Sequence, residues 1–338
     1  MGNGFSIACK PDIFTYQSLL KHAKFKSDNL NDLFKRFKTQ DFEQIIRVLN
    51  DSAKVVRIYK NKHEFVKLFK SDAEELKQEL IRILCEKHPS YPAEINESQY
   101  KSCATFLANF DKIYTLNYDL LLYWTILQDK DSDKQIKKID DGFRREDEEY
   151  LHWNIENSNS QNIYYLHGAL HILDSGFDLI KLEWEDYGKT LITQISERLN
   201  ESRFPLFVAE GNSKEKLAKI NHSAYLSRSY KSFSDIGGNL FIYGHSLADN
   251  DAHILDLIPR KTKIQNLFVS IYGDIKSKDN QKIVEKATSY INIRNIKNSK
   301  SINKKGLYPI NVYFYDSNTT NVWKKGILEF SDQMPNDR

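Results

Sequence analysis

Short apolar runs that stop abruptly at a polar residue or a glycine recur along the chain. Each run is rich in Val, Ile, Leu, Phe and Tyr, and the clearest one precedes Asn117 and Asp119. Runs without polar alternation are typical of strands buried on both faces. Most are followed by sequence with helical spacing, which predicts strand–helix–strand units and an α/β fold with a mostly parallel sheet. The six runs occupy residues 113–116, 163–166, 206–208, 240–243, 267–272 and 312–315.

A helical block separates the first residues of the chain from the first apolar run. From Thr39 to about Ala108, apolar residues recur with the spacing of amphipathic helices, and Thr39 is a candidate N-cap. Cys103 falls on an apolar stripe and is therefore expected in the core. We expect one domain over residues 1–338 with a helical insertion at about 28–109.

Composition excludes several classes of protein. Hydrophobic residues make up 40% of the 338 residues, the mean hydropathy is −0.59, and no run is long enough to span a membrane. The net charge of +3 comes from 49 basic and 46 acidic residues, a balance too even for a surface that binds nucleic acid directly. The three cysteines lack metal-ligand spacing, and no secretory leader is visible. These features predict a cytoplasmic protein without structural zinc.

Polar side chains follow two of the predicted strands directly. Asn117 and Asp119 follow the run at 113–116, and His167 with Gly168 follows the run at 163–166. In an open parallel sheet, ligands bind beyond the carboxyl ends of the strands, so these residues are candidates for chemistry. A structural role for the single histidine remains an equal alternative.

Three segments rich in small residues are candidates for nucleotide contacts. The turn at residues 2–6 brings backbone amides and the Ser6 hydroxyl together, although a flexible terminus has the same composition. Glu210 can bind a ribose hydroxyl. The turn from Gly244 to Ser246 suits ribose or phosphate, with helix capping as the alternative.

Three further patterns allow local predictions. Residues 174–176 indicate a hairpin turn. Phe143 interrupts a charged stretch, and it is either a lid over a ligand or a packing anchor. Arg294 belongs to a basic segment at 276–305 that we interpret as solvated surface. Phe241, in the run at 240–243, is expected to be a core residue whose loss costs about 3–5 kcal/mol.

Taken in order, five short motifs resemble the sirtuin-like family. The motifs are GNGFS at 2–6, TLNYD at 115–119, LHGAL at 166–170, EG at 210–211 and YGHSL at 243–247. They are more similar to the bacterial branch of NAD-consuming anti-phage defence proteins than to the protein deacylases. The resemblance covers nearly the whole chain. It implies a Rossmann-like, mostly parallel sheet with helices on both faces, and NAD as the substrate.

The resemblance implies a role for each motif. Asn117 would position the nicotinamide ribose and its attacking water, Asp119 would hold the nicotinamide amide, and His167 would be the base. Cleavage of the N-glycosidic bond builds positive charge on the ribose, which a carboxylate and an orienting amide stabilise. The binding residues are Gly2, Gly4, Phe5 and Ser6 for the diphosphate, Glu210 for a ribose hydroxyl, and Gly244 and Ser246 for the adenosine half.

The sequence departs from the family pattern in three ways. The strand that normally precedes the glycine turn is missing, which indicates a truncated chain or a misplaced start. Leu116 and His245 replace the usual Gln and Thr. The paired cysteines that hold zinc in the deacylases are absent, which favours plain hydrolysis without a metal.

These inferences predict an NAD glycohydrolase that releases nicotinamide and ADP-ribose. By resemblance it would be a regulated NAD-depleting effector of abortive infection. It would work as a homo-oligomer, with a HerA-type ATPase or another sensor as a possible partner. The alternatives are a non-catalytic module that binds NAD or ADP-ribose and, with less support, an NAD-dependent deacylase or ADP-ribosyltransferase.

Overall fold

The structure is a computed structural model that describes residues 1–59, 63–128, 139–145, 150–174, 178–186, 188–201, 203–300 and 308–324. The helices in these ranges are α1 (Gly4–Cys9), α2 (Pro11–Phe14), α3 (Tyr16–His22), α4 (Asp28–Phe37), α5 (Phe42–Tyr59), α6 (His63–Lys87), α7 (Glu97–Leu107), α8 (Leu121–Gln128), α9 (Leu191–Asn200), α10 (Ser213–His222), α11 (Ala224–Ser234), α12 (Ala252–Leu255), α13 (Leu257–Arg260) and α14 (Lys278–Ser299). The strands are β1 (Ile113–Thr115), β2 (Phe143–Arg145), β3 (Leu151–Trp153), β4 (Ile163–Tyr165), β5 (Gly168–Asp174), β6 (Leu179–Lys181), β7 (Glu185–Asp186), β8 (Lys189–Thr190), β9 (Pro205–Phe207), β10 (Gly237–Ile242), β11 (Lys263–Ile271) and β12 (Asn311–Asp316).

All six predicted apolar runs form strands, and the chain is mixed α/β. Parallel pairing joins β1 to β4 and orders β10, β11 and β12 in a second sheet. The prediction of a mostly parallel sheet misses a five-stranded antiparallel sheet in the order β2-β3-β6-β5-β9. Strand β9 pairs antiparallel with β5, on the side of β5 opposite to β6. The turn of that hairpin, at 175–177, lies outside the described residues.

The first two residues connect the two parallel sheets. The Met1 amino group donates to the Tyr114 carbonyl at 2.6 Å, and the Met1 carbonyl accepts from the Leu116 amide at 3.0 Å. On the other side, the Gly2 amide donates to the Tyr243 carbonyl at 2.9 Å. Beside them, a cavity of about 650 Å³ separates β1 from β10. The ends of β1 and β10 are therefore held together through Met1 and Gly2.

Four helices, α4 to α7, lie within the stretch predicted as an insertion, and three shorter helices precede it. The first helix of the Thr39–Ala108 block is α5, and the Asp41 carboxylate caps it by accepting from the Gln44 amide at 3.2 Å. The Thr39 hydroxyl instead accepts from the Asp41 amide. Cys103 is fully buried, as predicted from its apolar stripe.

Strands β1, β4 and β9 are more deeply buried than β10. Strands β1, β4 and β9 are buried along their whole length, as their apolar runs predict. The prediction for Phe241 in β10 is wrong, because its side chain is 41% exposed. Its ring stacks on Phe268 of β11 with centroids 4.3 Å apart, and it borders the cavity beside β1.

Two side chains from charged segments are also buried. Arg294 of α14 is 2% exposed, so its assignment to a solvated surface is wrong. Its guanidinium donates to the carbonyls of Ile258 and Pro259 at 2.6 and 2.7 Å. It thereby provides hydrogen-bond donors for carbonyls of α13 that have no partner within the helix. Phe143 in β2 is buried against Tyr225, with ring centroids 5.6 Å apart, which favours the packing anchor over the lid.

Among the described residues, no helix combines the length and apolar character needed to cross a bilayer.

Burial predicts different costs for two truncations in neighbouring strands. Leu267 of β11 is fully buried, so Leu267→Ala should lower the free energy of unfolding by about 2–5 kcal/mol. Phe241→Ala removes a larger but half-exposed side chain and should cost less than Leu267→Ala. Urea denaturation followed by circular dichroism measures both. A greater loss for Phe241→Ala would contradict the observed burial.

Candidate functional site

Ser6, Asn117 and Asp119 form one buried hydrogen-bonded cluster. The Ser6 hydroxyl donates to Asp119 Oδ2 at 2.5 Å and accepts from Asn117 Nδ2 at 2.8 Å. The loop after β1 is held locally, since the Asn117 amide donates to Thr115 Oγ1 and Asp119 Oδ1 accepts from the Leu121 amide that opens α8. Burial raises the pKa of Asp119, against the opposing effect of the Ser6 hydrogen bond. The structure thus brings together residues that are more than one hundred positions apart in sequence.

The glycine turn at 2–6 packs directly on the turn at Gly244. The Gly4 amide donates to the Gly244 carbonyl at 2.8 Å, and a Cβ on Gly4 would lie 2.6 Å from Gly244 Cα. Gly244 itself has a φ of +65°. Close packing of two backbones therefore explains both glycines. The amides of Phe5 and Ser6 donate to carbonyls within the turn, so these groups are already bonded in this structure.

The other predicted binding residues do not join the Ser6 cluster. Phe5 is buried in the core, where its ring packs against Trp323 with centroids 5.1 Å apart. Ser246 is exposed. Glu210 faces the helical region and forms an ion pair with Lys77 of α6 at 3.4 Å.

His167 follows β4 at the position where Asn117 follows β1. Because β1 and β4 are parallel, with Thr115 opposite Tyr165, both residues lie at the same end of this sheet. Gly168 has a φ of +81°, and a Cβ there would collide with the Leu206 carbonyl, so only glycine fits after the histidine. The Tyr118 ring lies nearly parallel to the His167 ring, with centroids 6.4 Å apart.

The His167 side chain meets a second histidine. Its Nε2 lies 3.0 Å from Nε2 of His253 at the start of α12. Asp251 Oδ1 lies 3.9 Å from the same nitrogen. His253 was not among the residues predicted from the sequence, and its only signal is its place two residues after Asp251.

A fully buried lysine holds two carboxylates beside this pair. Lys216 of α10 is 1% exposed and donates to Glu43 Oε2 at 2.7 Å and to Asp251 Oδ1 at 2.9 Å. His245 Nε2 lies 3.0 Å from Asp251 Oδ2. The Leu247 amide donates to His245 Nδ1 at 2.8 Å, which places the His245 proton on Nε2. Sequence reasoning missed Glu43 and Lys216, although Lys216 lies one turn before the buried Ile220 on the inner face of α10.

These contacts set the charge of each group. Burial and the positive charge of Lys216 lower the pKa of His167 well below its usual value, so the imidazole is neutral at pH 7. Burial lowers the pKa of His253 to about 4. Burial opposes ionisation of Asp251, but the His245 hydrogen bond and Lys216 outweigh it and hold its pKa well below the usual range. Burial raises the pKa of Glu43.

The donor atoms of His167, Asp251 and His253 lie within 4.8 Å of one another, a spacing that a metal ion could use. The Lys216 ammonium already lies 2.9 Å from Asp251 Oδ1 and supplies a positive charge there. A divalent cation would have to displace this ammonium or tolerate its repulsion.

The site is closed in this structure. Asn117, Asp119 and His167 are each 8% exposed or less. Their side chains bond to one another and to neighbouring protein groups, and little of their surface is open to solvent. The arrangement can orient a hydroxyl or an amide through Asn117 and Asp119, and it can accept a proton at His167.

The chain belongs to the family described as a domain of unknown function (DUF4917), whose model matches residues 1–323. The matched range contains the cluster of Ser6, Asn117 and Asp119. It also contains His167 and the residues around it, which are His253, Asp251 and Lys216. Comparison with curated proteins finds no match. The family description names no activity.

The Gly4–Gly244 contact predicts a site-specific cost for added volume. Gly273 also has a positive φ, of +75°, but has open space around its Cβ position. Gly273→Ala should therefore cost only the backbone strain of about 1–2 kcal/mol. Gly244→Ala should cost about 1–3 kcal/mol more, because its methyl group meets the Gly4 backbone. Thermal or urea unfolding compares the two variants, and equal losses would contradict a packing role for Gly244.

Removal of the buried Lys216 ammonium should destabilise the fold strongly. Lys216→Met leaves Glu43 and Asp251 without their common cation and should cost about 3–5 kcal/mol of unfolding free energy. The double variant Lys216→Met/Glu43→Gln should recover part of this loss, because one buried carboxylate is neutralised. Lys219→Met, on the exposed side of α10, is the control. Chemical denaturation at pH 7 gives the three values, and a Lys216 variant as stable as the Lys219 variant would contradict the network.

Proposed function

We propose that this chain is an NAD hydrolase that cleaves the nicotinamide–ribose bond on a Rossmann-like sheet, releasing nicotinamide and ADP-ribose. The observation that carries the proposal is the meeting of Ser6, Asn117 and Asp119 through direct hydrogen bonds. A neutral histidine, His167, stands at the same end of the β1–β4 sheet. Three of the five motifs that resemble the sirtuin-like family thereby supply polar groups to one region.

The chemistry of N-glycosidic cleavage matches these groups. As nicotinamide leaves, positive charge develops on the ribose, and a fixed carboxylate such as Asp119 stabilises that charge in a water-poor site. The Asn117 amide has a donor and an acceptor with which to orient a ribose hydroxyl or a water. The Ser6 hydroxyl fixes both side chains, so that little reorganisation is needed during the reaction.

His167 supplies the proton acceptor in this scheme. Its imidazole is neutral at pH 7 because burial and Lys216 lower its pKa. A neutral imidazole can take a proton from water or a ribose hydroxyl, and a well-placed general base contributes about 10²–10⁴-fold to the rate. The backbone of His167 is held in place, because its carbonyl accepts a hydrogen bond from the Val208 amide at 3.0 Å.

The closed state of the site suits a regulated enzyme. The amides of Gly2, Gly4, Phe5 and Ser6 already donate to protein carbonyls and the proposed catalytic side chains are buried, so NAD can bind only after the site opens. In the proposal, opening depends on a homo-oligomer or on a sensor such as a HerA-type ATPase, and the active form depletes NAD in anti-phage defence by abortive infection. This gating would prevent loss of NAD in the resting cell.

The same closure favours a second candidate, a module that binds NAD or ADP-ribose without cleaving it. A site whose phosphate-binding amides are occupied and whose base is buried can serve as a nucleotide-controlled switch. Calorimetry distinguishes the two functions. Tight binding without release of nicotinamide favours the module, whereas steady release excludes it.

The hydrolase proposal predicts the effect of two substitutions. Asn117→Ala and His167→Ala should each lower NAD cleavage by about 10²-fold or more, because positioning and proton transfer are lost. Both side chains are buried and hydrogen-bonded, so each variant should also lose some stability, and turnover is compared at a temperature where circular dichroism shows it to be folded. Asn109→Ala and His222→Ala are matched controls at exposed positions. Chromatographic detection of nicotinamide measures turnover.

Two outcomes would overturn parts of the proposal. Near-wild-type turnover by His167→Ala would show that this imidazole is not the base. Absence of nicotinamide from the wild-type protein, whether alone, concentrated to form oligomers or mixed with candidate ATPase partners, would contradict hydrolysis itself.

A further inference from the structure

The contact between His167 and His253 is a direct bond between two imidazoles. Their Nε2 atoms lie 3.0 Å apart, whereas the ring centroids lie 5.2 Å apart and the ring planes differ by 15°. The nitrogen-bearing edges of two nearly parallel rings therefore face each other. When both rings are neutral, this distance requires one Nε2 to carry a hydrogen and donate it to the other Nε2.

The remaining charged groups around His167 cannot replace His253 in this contact. Asp251 is the nearest carboxylate, but its Oδ1 lies 3.9 Å from His167 Nε2, too far for a hydrogen bond. Its two oxygens are already used by Lys216 and His245. His245 has its own proton directed at Asp251.

The geometry also distinguishes this pair from a metal site. Two histidines that share a metal direct both Nε2 lone pairs at a third point, where the ion lies. In this pair the nitrogen-bearing edges are directed at each other. The Lys216 ammonium, bonded to Asp251 at 2.9 Å, adds repulsion for any cation placed there.

We propose that His253 is a positioning residue that holds His167 in its reactive tautomer and receives its proton during catalysis. The inference depends on the proposed NAD hydrolase function. Before reaction, His167 carries its hydrogen on Nε2 and donates it to His253 Nε2, which leaves His167 Nδ1 as the free base. A carboxylate performs this orienting task in many triads. In this protein a second imidazole takes that place.

The proton balance of the step is simple. The oxygen of the reacting water or ribose hydroxyl gives its proton to His167 Nδ1, and the Nε2 proton of His167 moves to His253 Nε2. One O–H bond and one N–H bond break, and two N–H bonds form. The positive charge is transferred to His253, whose donor nitrogen lies within 4.8 Å of the ionised Asp251 carboxylate. Asp251 therefore stabilises the charge at the end of the relay.

Three variants separate positioning from proton acceptance. His253→Gln keeps an oxygen near the Nε2 position, so it preserves the tautomer of His167 but cannot hold a proton. His253→Leu removes both functions. We expect kcat for NAD to fall about 10²-fold or more in His253→Leu and by a smaller factor in His253→Gln, with KM little changed. His171→Gln, at a buried histidine of β5 outside the site, should leave kcat unchanged.

A spectroscopic measurement tests the same inference without any substrate. In protein labelled with ¹⁵N-histidine, the His167 nitrogens should show a protonated Nε2 and an unprotonated Nδ1, with an N–H···N coupling to His253. The coupling should disappear in His253→Gln while the tautomer persists. In His253→Leu the tautomer should become mixed. The assignment uses His167→Gln, and melting temperatures check that each variant is folded.

The outcomes distinguish this inference from the function on which it depends. Nicotinamide release by the wild type together with an unchanged kcat in folded His253→Leu overturns the role of His253 and leaves the hydrolase proposal intact. No nicotinamide release from the wild type overturns the hydrolase, while the ¹⁵N spectra still decide whether His253 sets the tautomer. Stoichiometric zinc or another transition metal in purified wild type, lost in His253→Leu, would show a metal site and overturn the relay.

Discussion

The close approach of Gly4 and Gly244 is the constraint on which the site depends. The two turns can share backbone hydrogen bonds only because neither carries a Cβ at the contact. Through this contact the start of the chain joins the ends of β1 and β10, and Ser6 reaches Asn117 and Asp119. Asp251 follows Gly244 in the same segment and is held there by His245, whose Nε2 lies 3.0 Å from Asp251 Oδ2. A packing requirement, satisfied by glycine, therefore assembles polar groups from distant parts of the sequence.

The charge state of the site follows from its burial. Two carboxylates, Glu43 and Asp251, share the single ammonium of Lys216, and the imidazoles beside them are neutral. An unpaired charge is costly in a low-dielectric interior. Here the buried ammonium of Lys216 is paired with two carboxylates, so it is not left without a partner. The ionised Asp251 carboxylate, which lies near both His167 and His253, would stabilise an imidazolium formed on either ring.

The sequence predicts the parts of the structure that depend on local pattern. Apolar runs identified β1, β4 and β9 as buried strands, because a continuous apolar run is visible in the local sequence. Exposure of Phe241 was missed, because it depends on which neighbours cover β10. Burial of Arg294 and Lys216 was missed as well. A long charged side chain is expected to be exposed to solvent unless its buried acceptors are known, and those acceptors lie far away in the sequence. The meeting of Ser6 with Asn117 followed only from the order of motifs, and the His167–His253 bond had no signal in that order.

Helix α5, in the stretch predicted as an insertion, contributes directly to the site. Glu43 lies in the first turn of α5, yet its carboxylate accepts bonds from Lys216 and from Asn250, next to Asp251. A displacement of α5 would remove one carboxylate from Lys216 and strengthen the pull of that ammonium on Asp251. The electrostatic environment of His167 would then change without any contact to a ligand. Helix α5 is thus linked to His167 through Glu43, Lys216 and Asp251.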